Sequence, residues 1–196
     1  MSREIELFFD IGSAYSYLAA TQLAGVAERT QTPVRWQPFL LGAVFKATGN
    51  HTPATIPAKA RWMIGDLGRW AAHYGIPMKM PSRFPLNTLR VQRFLVGIER
   101  ADVSKVATAA LSLFTAYWAE DLDPNADGVL SKAAVAAGLD PVVTIAATEV
   151  QETKDQLRAT TDEAIARGAF GAPSLFVGDV LFWGNDRLPL LEKHLA

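Results

Sequence analysis

The sequence contains no cysteine. That excludes a disulfide framework, a cysteine-ligated zinc or iron–sulfur centre, a CxxC redox pair and a thiol nucleophile belonging to the chain. Histidine is scarce too. His51, His73 and His194 are the 3 present, too few and too scattered for a histidine metal site, so no metal is expected. Excess charge of one sign is missing: 19 Lys and Arg stand against 20 Asp and Glu, for a net −1. A non-specific grip on nucleic acid usually needs a marked basic excess. Long apolar runs are absent. The longest uncharged helical stretch, Val106 to Ala119, contains Thr and Ser and reads as a buried core helix rather than a bilayer span. The opening MSREIELFFD carries acidic residues and no apolar signal core. A C-terminal lipidation box would need cysteine. These absences lead to the expectation of a soluble, cytoplasmic protein without membrane or nucleic-acid partners.

What is present supports a full core. Of 196 residues, 49% are hydrophobic and 20% charged, which suits one large domain or one domain with an insertion. Residues 3–10 alternate and then run apolar, predicting a strand that ends at Asp10. Apolar residues then recur at helical spacing through Tyr17, Leu18, Leu23, Val26 and Ala27, so Ser13 sits at an N-cap or first-turn position. VRWQPF (34–39) predicts a second strand and completes a β-α-β unit with a right-handed crossover. From about Phe45 to Arg167 every segment reads as helix: 59–75, 88–100, 106–120, 129–138, 140–149 and 153–168. A hairpin follows at 174–178 and 180–183, turning at Asp179, and then a helix at 187–195 capped by Asn185 or Asp186. The expected organisation is a sheet-bearing domain of 1–44 and 168–196 enclosing an all-helical insertion of 45–167.

Several motifs carry chemistry or fail to. In FFDIGSAYSYLA (8–19) a strand aims Ser13 at a helix start, where free N–H groups and a partial positive charge hold anions, thiolates included. Capping alone is the plainer role for Ser13 or Ser16. Ile11-Gly12-Ser13-Ala14-Tyr15 is not a nucleophile elbow, which argues against a serine hydrolase. Asp121, Asp123, Asn125 and Asp127 imitate a calcium loop, but Ala126 and Lys132 stand where Gly and Glu are required, so a loop with a helix cap at or near Asp127 is expected. Lys46 to His51 is a polar island, either a ligand loop or plain surface. Trp62 and Trp70 read as core, Arg61 and Arg69 as a solvated face, and Met78 and Met80 as gap-fillers. The Ala172-Pro173 bond, before a strand, can be cis or trans. Were it cis, the Ala172 N–H and C=O would be free to pair with an extended peptide-like ligand. Gly184-Asn185-Asp186 offers a second helix start, and the element order can bring both starts to one cleft.

This order resembles the thioredoxin fold in its DsbA-like form. Ser13-Ala14-Tyr15-Ser16 takes the place of the redox CxxC, and Ala172-Pro173 that of the cis-proline. The chain resembles the 2-hydroxychromene-2-carboxylate isomerase family, relatives of the kappa-class glutathione transferases. The carrying segments are FFDIGSAYSYLA, LLGAVFKATGN (40–50), the RW…YGIP run (69–77) and GAFGAPSLFVGDVLFWGNDRL (168–188). The resemblance implies reduced glutathione as cofactor, a small aromatic carboxylate as substrate and a homodimer. It assigns Ser13 to the glutathione sulfur, with Ala14 and Tyr15 beside it. Asn50 and the backbone of Ala172, before Pro173, are assigned to the tripeptide, and Trp183, Gly184, Asn185 and Asp186 to its γ-glutamyl end. Lys46 or Arg61 would meet the substrate carboxylate, and Phe84 would lie near the substrate. The alternatives are a kappa-like transferase or peroxidase, or a non-enzymatic glutathione or peptide binder.

Overall fold

The computed structural model describes residues 3–196; Met1 and Ser2 of the expected 1–44 segment lie outside the described residues. The strands are β1 (Ile5–Phe9), β2 (Val34–Pro38), β3 (Ser174–Val177) and β4 (Val180–Trp183), in the order β2-β1-β3-β4. β1 and β2 run parallel, Leu7 opposite Trp36. β3 runs antiparallel to both neighbours, Leu7 opposite Leu175 and Leu175 opposite Phe182. β1, in the centre, is IELFF and buries Ile5, Leu7, Phe8 and Phe9, so both faces of the sheet are covered.

α1 (Ala14–Thr30) makes the crossover from β1 to β2, as the periodicity predicts. Ser13 is its N-cap, and the Ser13 Oγ accepts from the Ser16 N–H at 3.1 Å. The other helices are α2 (Leu41–Thr48), α3 (Pro57–Tyr74), α4 (Leu89–Ala101), α5 (Val106–Trp118), α6 (Asp127–Ala136), α7 (Pro141–Ala146), α8 (Gln151–Ala166) and α9 (Leu188–Leu195). This is a DsbA-like thioredoxin fold with a large helical insertion between β2 and β3.

Three local expectations need correction. The polar island is not one loop, because Lys46 to Thr48 form the last turn of α2, which the apolar Val44 anchors. The helix start expected at or near Asp127 is there: Asp127 is the first residue of α6, Ala126 holds its cap position, and the Asp127 carboxylate meets Arg90 at 2.6 Å. The span 140–149 is not one helix, since α7 stops at Ala146 and a 3-10 turn, Ala147–Glu149, follows. Neither Asn185 nor Asp186 caps α9; both lie in a 3-10 turn, Asn185–Arg187, entered through Gly184 at φ 104°. That φ is one L side chains rarely adopt, which accounts for glycine there.

Two apolar clusters fill the interior. The larger joins β1, α1 and α9 to α3, α4, α5 and α6 around Phe9, Tyr17, Phe114 and Trp118. The smaller lies on the opposite sheet face around Phe8, Phe39 and Phe176. Arg167 closes its rim, binding Glu6 at 2.6 Å with its guanidinium 4.1 Å from the Phe176 ring centre. Met80 is exposed, so only Met78 fills a gap against the core. Among the described residues no helix is long and apolar enough to cross a membrane.

Candidate active site

A cleft of about 1000 Å³ opens where the start of α1, the loop before β3 and the turn after β4 converge. Ser13, Ala14 and Tyr15 line it from α1. Ala172 lines it from the loop before β3, Trp183 from the end of β4, and Gly184, Asn185 and Asp186 from the turn after it. Asn50 and Phe84 line it from the insertion side. The Ala172–Pro173 bond is cis, as is Phe84–Pro85. Pro173 itself is buried behind the cleft, and its carbonyl accepts from the Gly184 N–H at 3.1 Å.

Ser13 sits at the centre of this convergence. It is nearly buried, and its hydroxyl donates to the Ala172 carbonyl at 3.0 Å. One side chain therefore caps α1 and braces it against the loop before β3. Ser16, at the second serine position, is fully buried, and its Oγ finds no partner among the described residues.

Asp10 forms the floor. Its carboxylate accepts from the Gly12 N–H at 2.8 Å, the Leu41 N–H at 2.9 Å and the Thr88 hydroxyl at 3.0 Å. α2 has no cap of its own, so Asp10 caps it from another element. Burial pushes the Asp10 carboxyl above its usual value, and the bonds from Leu41, Gly12 and Thr88 pull the other way.

α3 makes one wall. Lys59, Trp62, Asp66 and Trp70 recur at three- and four-residue intervals, so they share a helix face, and all line the cleft. The Tyr15 hydroxyl donates to Asp66 at 3.1 Å. Burial first, then Asp66, then Asp186 push the Tyr15 hydroxyl well above its usual range. At the far end of α3 the Tyr74 hydroxyl donates to the Asn185 carbonyl at 3.3 Å and accepts from the Asn185 amide at 3.4 Å. The loop before β3 is tied down by Asn50, whose amide donates to the Phe170 carbonyl at 2.8 Å. The Trp183 ring packs against Phe170 at a tilt of 52°, with centroids 4.8 Å apart.

Lys46 and Arg61 are exposed and outside the cleft lining. The cations that do line it are Lys59 and Arg187, with His51 alongside. Lys59 makes no ion pair among the described residues, while Arg187 meets Asp186 at 3.5 Å. The reading of Trp62 as core is corrected, since it is 62% exposed on the cleft wall; Trp70 packs against the core as expected and lines the cleft as well. Asp10, Lys59, Asp66 and Arg187 are lining residues that the sequence did not single out. For the α3 group the one-face spacing was the available signal. For Asp10 and Arg187 no local signal existed.

Chemically, the cleft joins a helix N-terminus, a strand-like edge at Ala172, three carboxylates, two cations and an apolar side of Phe45, Phe84, Leu86 and Trp118. It suits a ligand with an anionic group, an extended amide backbone, an ammonium and carboxylates.

Residues 4–196 match the model of the DSBA-like thioredoxin domain family. The chain is 32% identical over 198 residues to a 2-hydroxychromene-2-carboxylate isomerase of Sphingobium xenophagum, covering 100% of this chain and 99% of that one. It is 31% identical to glutathione S-transferase kappa 2 of Caenorhabditis elegans, covering 98% and 91%. A solved 2-hydroxychromene-2-carboxylate isomerase superposes with a TM-score of 0.88 at 28% identity, over 97% of this chain and 93% of that one. The chain thus belongs to the DSBA-like thioredoxin family, on the branch of the 2-hydroxychromene-2-carboxylate isomerases, with the kappa-class glutathione transferases as relatives.

Proposed function

We propose that the chain is a glutathione-dependent isomerase that interconverts 2-hydroxychromene-2-carboxylate and trans-o-hydroxybenzylidenepyruvate. The observation that carries this reading is the Ser13 hydroxyl at the N-terminus of α1, bonded across the cleft to Ala172. Relatives named as isomerases support the reaction class.

The residues fit reduced glutathione on four counts. Ser13 and the first N–H groups of α1 suit a thiolate. The backbone of Ala172 suits an extended amide. Asp66 and Asp186 suit an ammonium, and Arg187, beside Asp186, suits a carboxylate. When bound, glutathione supplies a nucleophile able to add to and leave a conjugated double bond, which can turn in between.

The chain's own part is electrostatic and positional. A free thiol ionises near pH 8.5, so roughly a few per cent is thiolate at neutral pH. The Ser13 hydroxyl and the α1 terminus favour the charged form there. Asn50 keeps the loop before β3 in place through Phe170. The apolar side around Phe45, Phe84 and Trp118 receives the aromatic ring and excludes water. Lys59, rather than Lys46 or Arg61, is placed to hold the substrate carboxylate. The same reading has the protein act on this small molecule as a cytoplasmic homodimer. The kappa-class relative supports a second reading, a transferase that keeps glutathione in its product.

Absorbance of the two substrate forms, followed with and without reduced glutathione, tests both. Interconversion should require glutathione without consuming it; activity without glutathione defeats the mechanism, and stoichiometric consumption favours a transferase. Glutathione at 100 times its Kd should stabilise the fold by about 2.7 kcal/mol. Ser13→Ala should cut turnover by about 100-fold with an unchanged circular dichroism spectrum.

A further inference from the structure

Ser13 has one hydroxyl hydrogen, and the structure commits it. Oγ accepts from the Ser16 N–H at 3.1 Å and donates to the Ala172 carbonyl at 3.0 Å. Ala172 lies outside the sheet ladder, whose β1–β3 and β3–β4 pairs begin at Ser174. Among the described residues its carbonyl has Ser13 as its donor and its N–H has no acceptor. Ala172 is half-buried and lines the cleft.

We infer that Ala172 is a positioning residue that decides where the Ser13 hydrogen points. Its carbonyl holds that hydrogen until the backbone N–H of a peptide ligand takes its place, and the hydroxyl then turns to the ligand's anionic sulfur. The inference rests on the glutathione reading and deepens it: backbone recognition and charge stabilisation at sulfur become one coupled event.

The reason lies in the accounting of donors. A hydroxyl bonds an anion more strongly than a neutral carbonyl, so a thiolate within reach draws the hydrogen. Rotation about Cβ–Oγ is enough, because the Ser16 N–H still anchors the oxygen. The hydrogen stays covalently on Oγ; only its acceptor changes. The turn leaves the half-buried Ala172 carbonyl without a donor, which is unfavourable. A ligand N–H, in the register of an antiparallel pair, removes that penalty. A ligand lacking the N–H must leave either the carbonyl or the sulfur unserved.

The test compares reduced glutathione with its depsipeptide, in which an ester oxygen replaces the cysteinyl N–H. Thiolate absorbance against pH gives the ionisation of each bound thiol, on the native protein and on Ser13→Ala, with affinities from calorimetry. On the native protein the glutathione thiol should ionise about one pH unit below the free thiol. The depsipeptide thiol should move by less than about a third of that. On Ser13→Ala the two thiols should titrate alike. Equal lowering of both thiols on the native protein overturns the inference and leaves the glutathione reading standing. A depsipeptide that binds neither protein at millimolar concentration also overturns it, because the N–H then matters independently of Ser13. Failure of the native protein to bind glutathione itself overturns both.

Discussion

Asp10 and Ser13 lie three residues apart and divide the labour of the site. Ser13 faces the cleft and joins α1 to Ala172. Asp10 lies beneath and joins three segments that meet nowhere else in sequence: the β1–α1 loop, the start of α2 and Thr88 before α4. A buried carboxylate with three donors aimed at it is costly to remove, because each donor then lacks an acceptor. Asp10→Ala should therefore lower stability by about 3 kcal/mol or more, read from denaturant midpoints at unchanged m-value. A loss under about 1 kcal/mol would mean that water replaces the carboxylate at all three donors. The Phe8-Phe9-Asp10 run shows where the strand ends, but nothing in it reveals which donors the acid meets.

At the scale of elements, the cleft is a wall and a strand edge held together by side chains. α3 supplies the wall and is tethered at two points, Tyr15 to Asp66 and Tyr74 to Asn185. The opposite edge depends on a close approach. A Cβ on Gly171 would lie 2.5 Å from Trp183 Nε1 and 3.1 Å from its Cε2. Gly171→Ala should push the Trp183 ring off the loop before β3. We expect altered tryptophan fluorescence and about tenfold weaker glutathione binding, a loss near 1.4 kcal/mol. Unchanged affinity would remove Trp183 from the ligand wall. The helices themselves were legible from breakers and apolar spacing. α2 was not, because its start is capped by Asp10, from the loop after β1, and its one buried residue is Val44.

The whole molecule is built around aromatic residues packed between sheet and insertion, and this sets its response to alkali. All 4 tyrosines have hydroxyls raised above the ordinary value of 10.0, with burial the leading cause at each. Tyr117 is pushed up to about 12, with Asp121 and Asp123 adding to burial. A group whose folded pKa is raised keeps its contribution to stability below the unfolded value and loses it as pH climbs through the folded one. Stability should thus be insensitive to these groups below about pH 10 and fall steadily towards about 12. Ultraviolet titration should show the native tyrosines ionising later than those of the unfolded chain. Coincident curves would show that the hydroxyls are solvated in the folded protein.

Sequence alone determined the order of the strands and of most helices, the helix start at Ser13, the place of the Ala172-Pro173 turn and the lack of a thiol of the chain's own. Those features are local: apolar period, caps, breakers and composition act over a few residues. Tertiary structure decided which side chains share the cleft. It set Lys59 and Arg187 on the lining and left Lys46 and Arg61 outside it. It moved Trp62 from presumed core to cleft wall, and it gave Asp10 partners 31 and 78 positions away. Such choices depend on how far each helix turns as its apolar face packs against the sheet, and that rotation is fixed by contacts between segments distant in sequence.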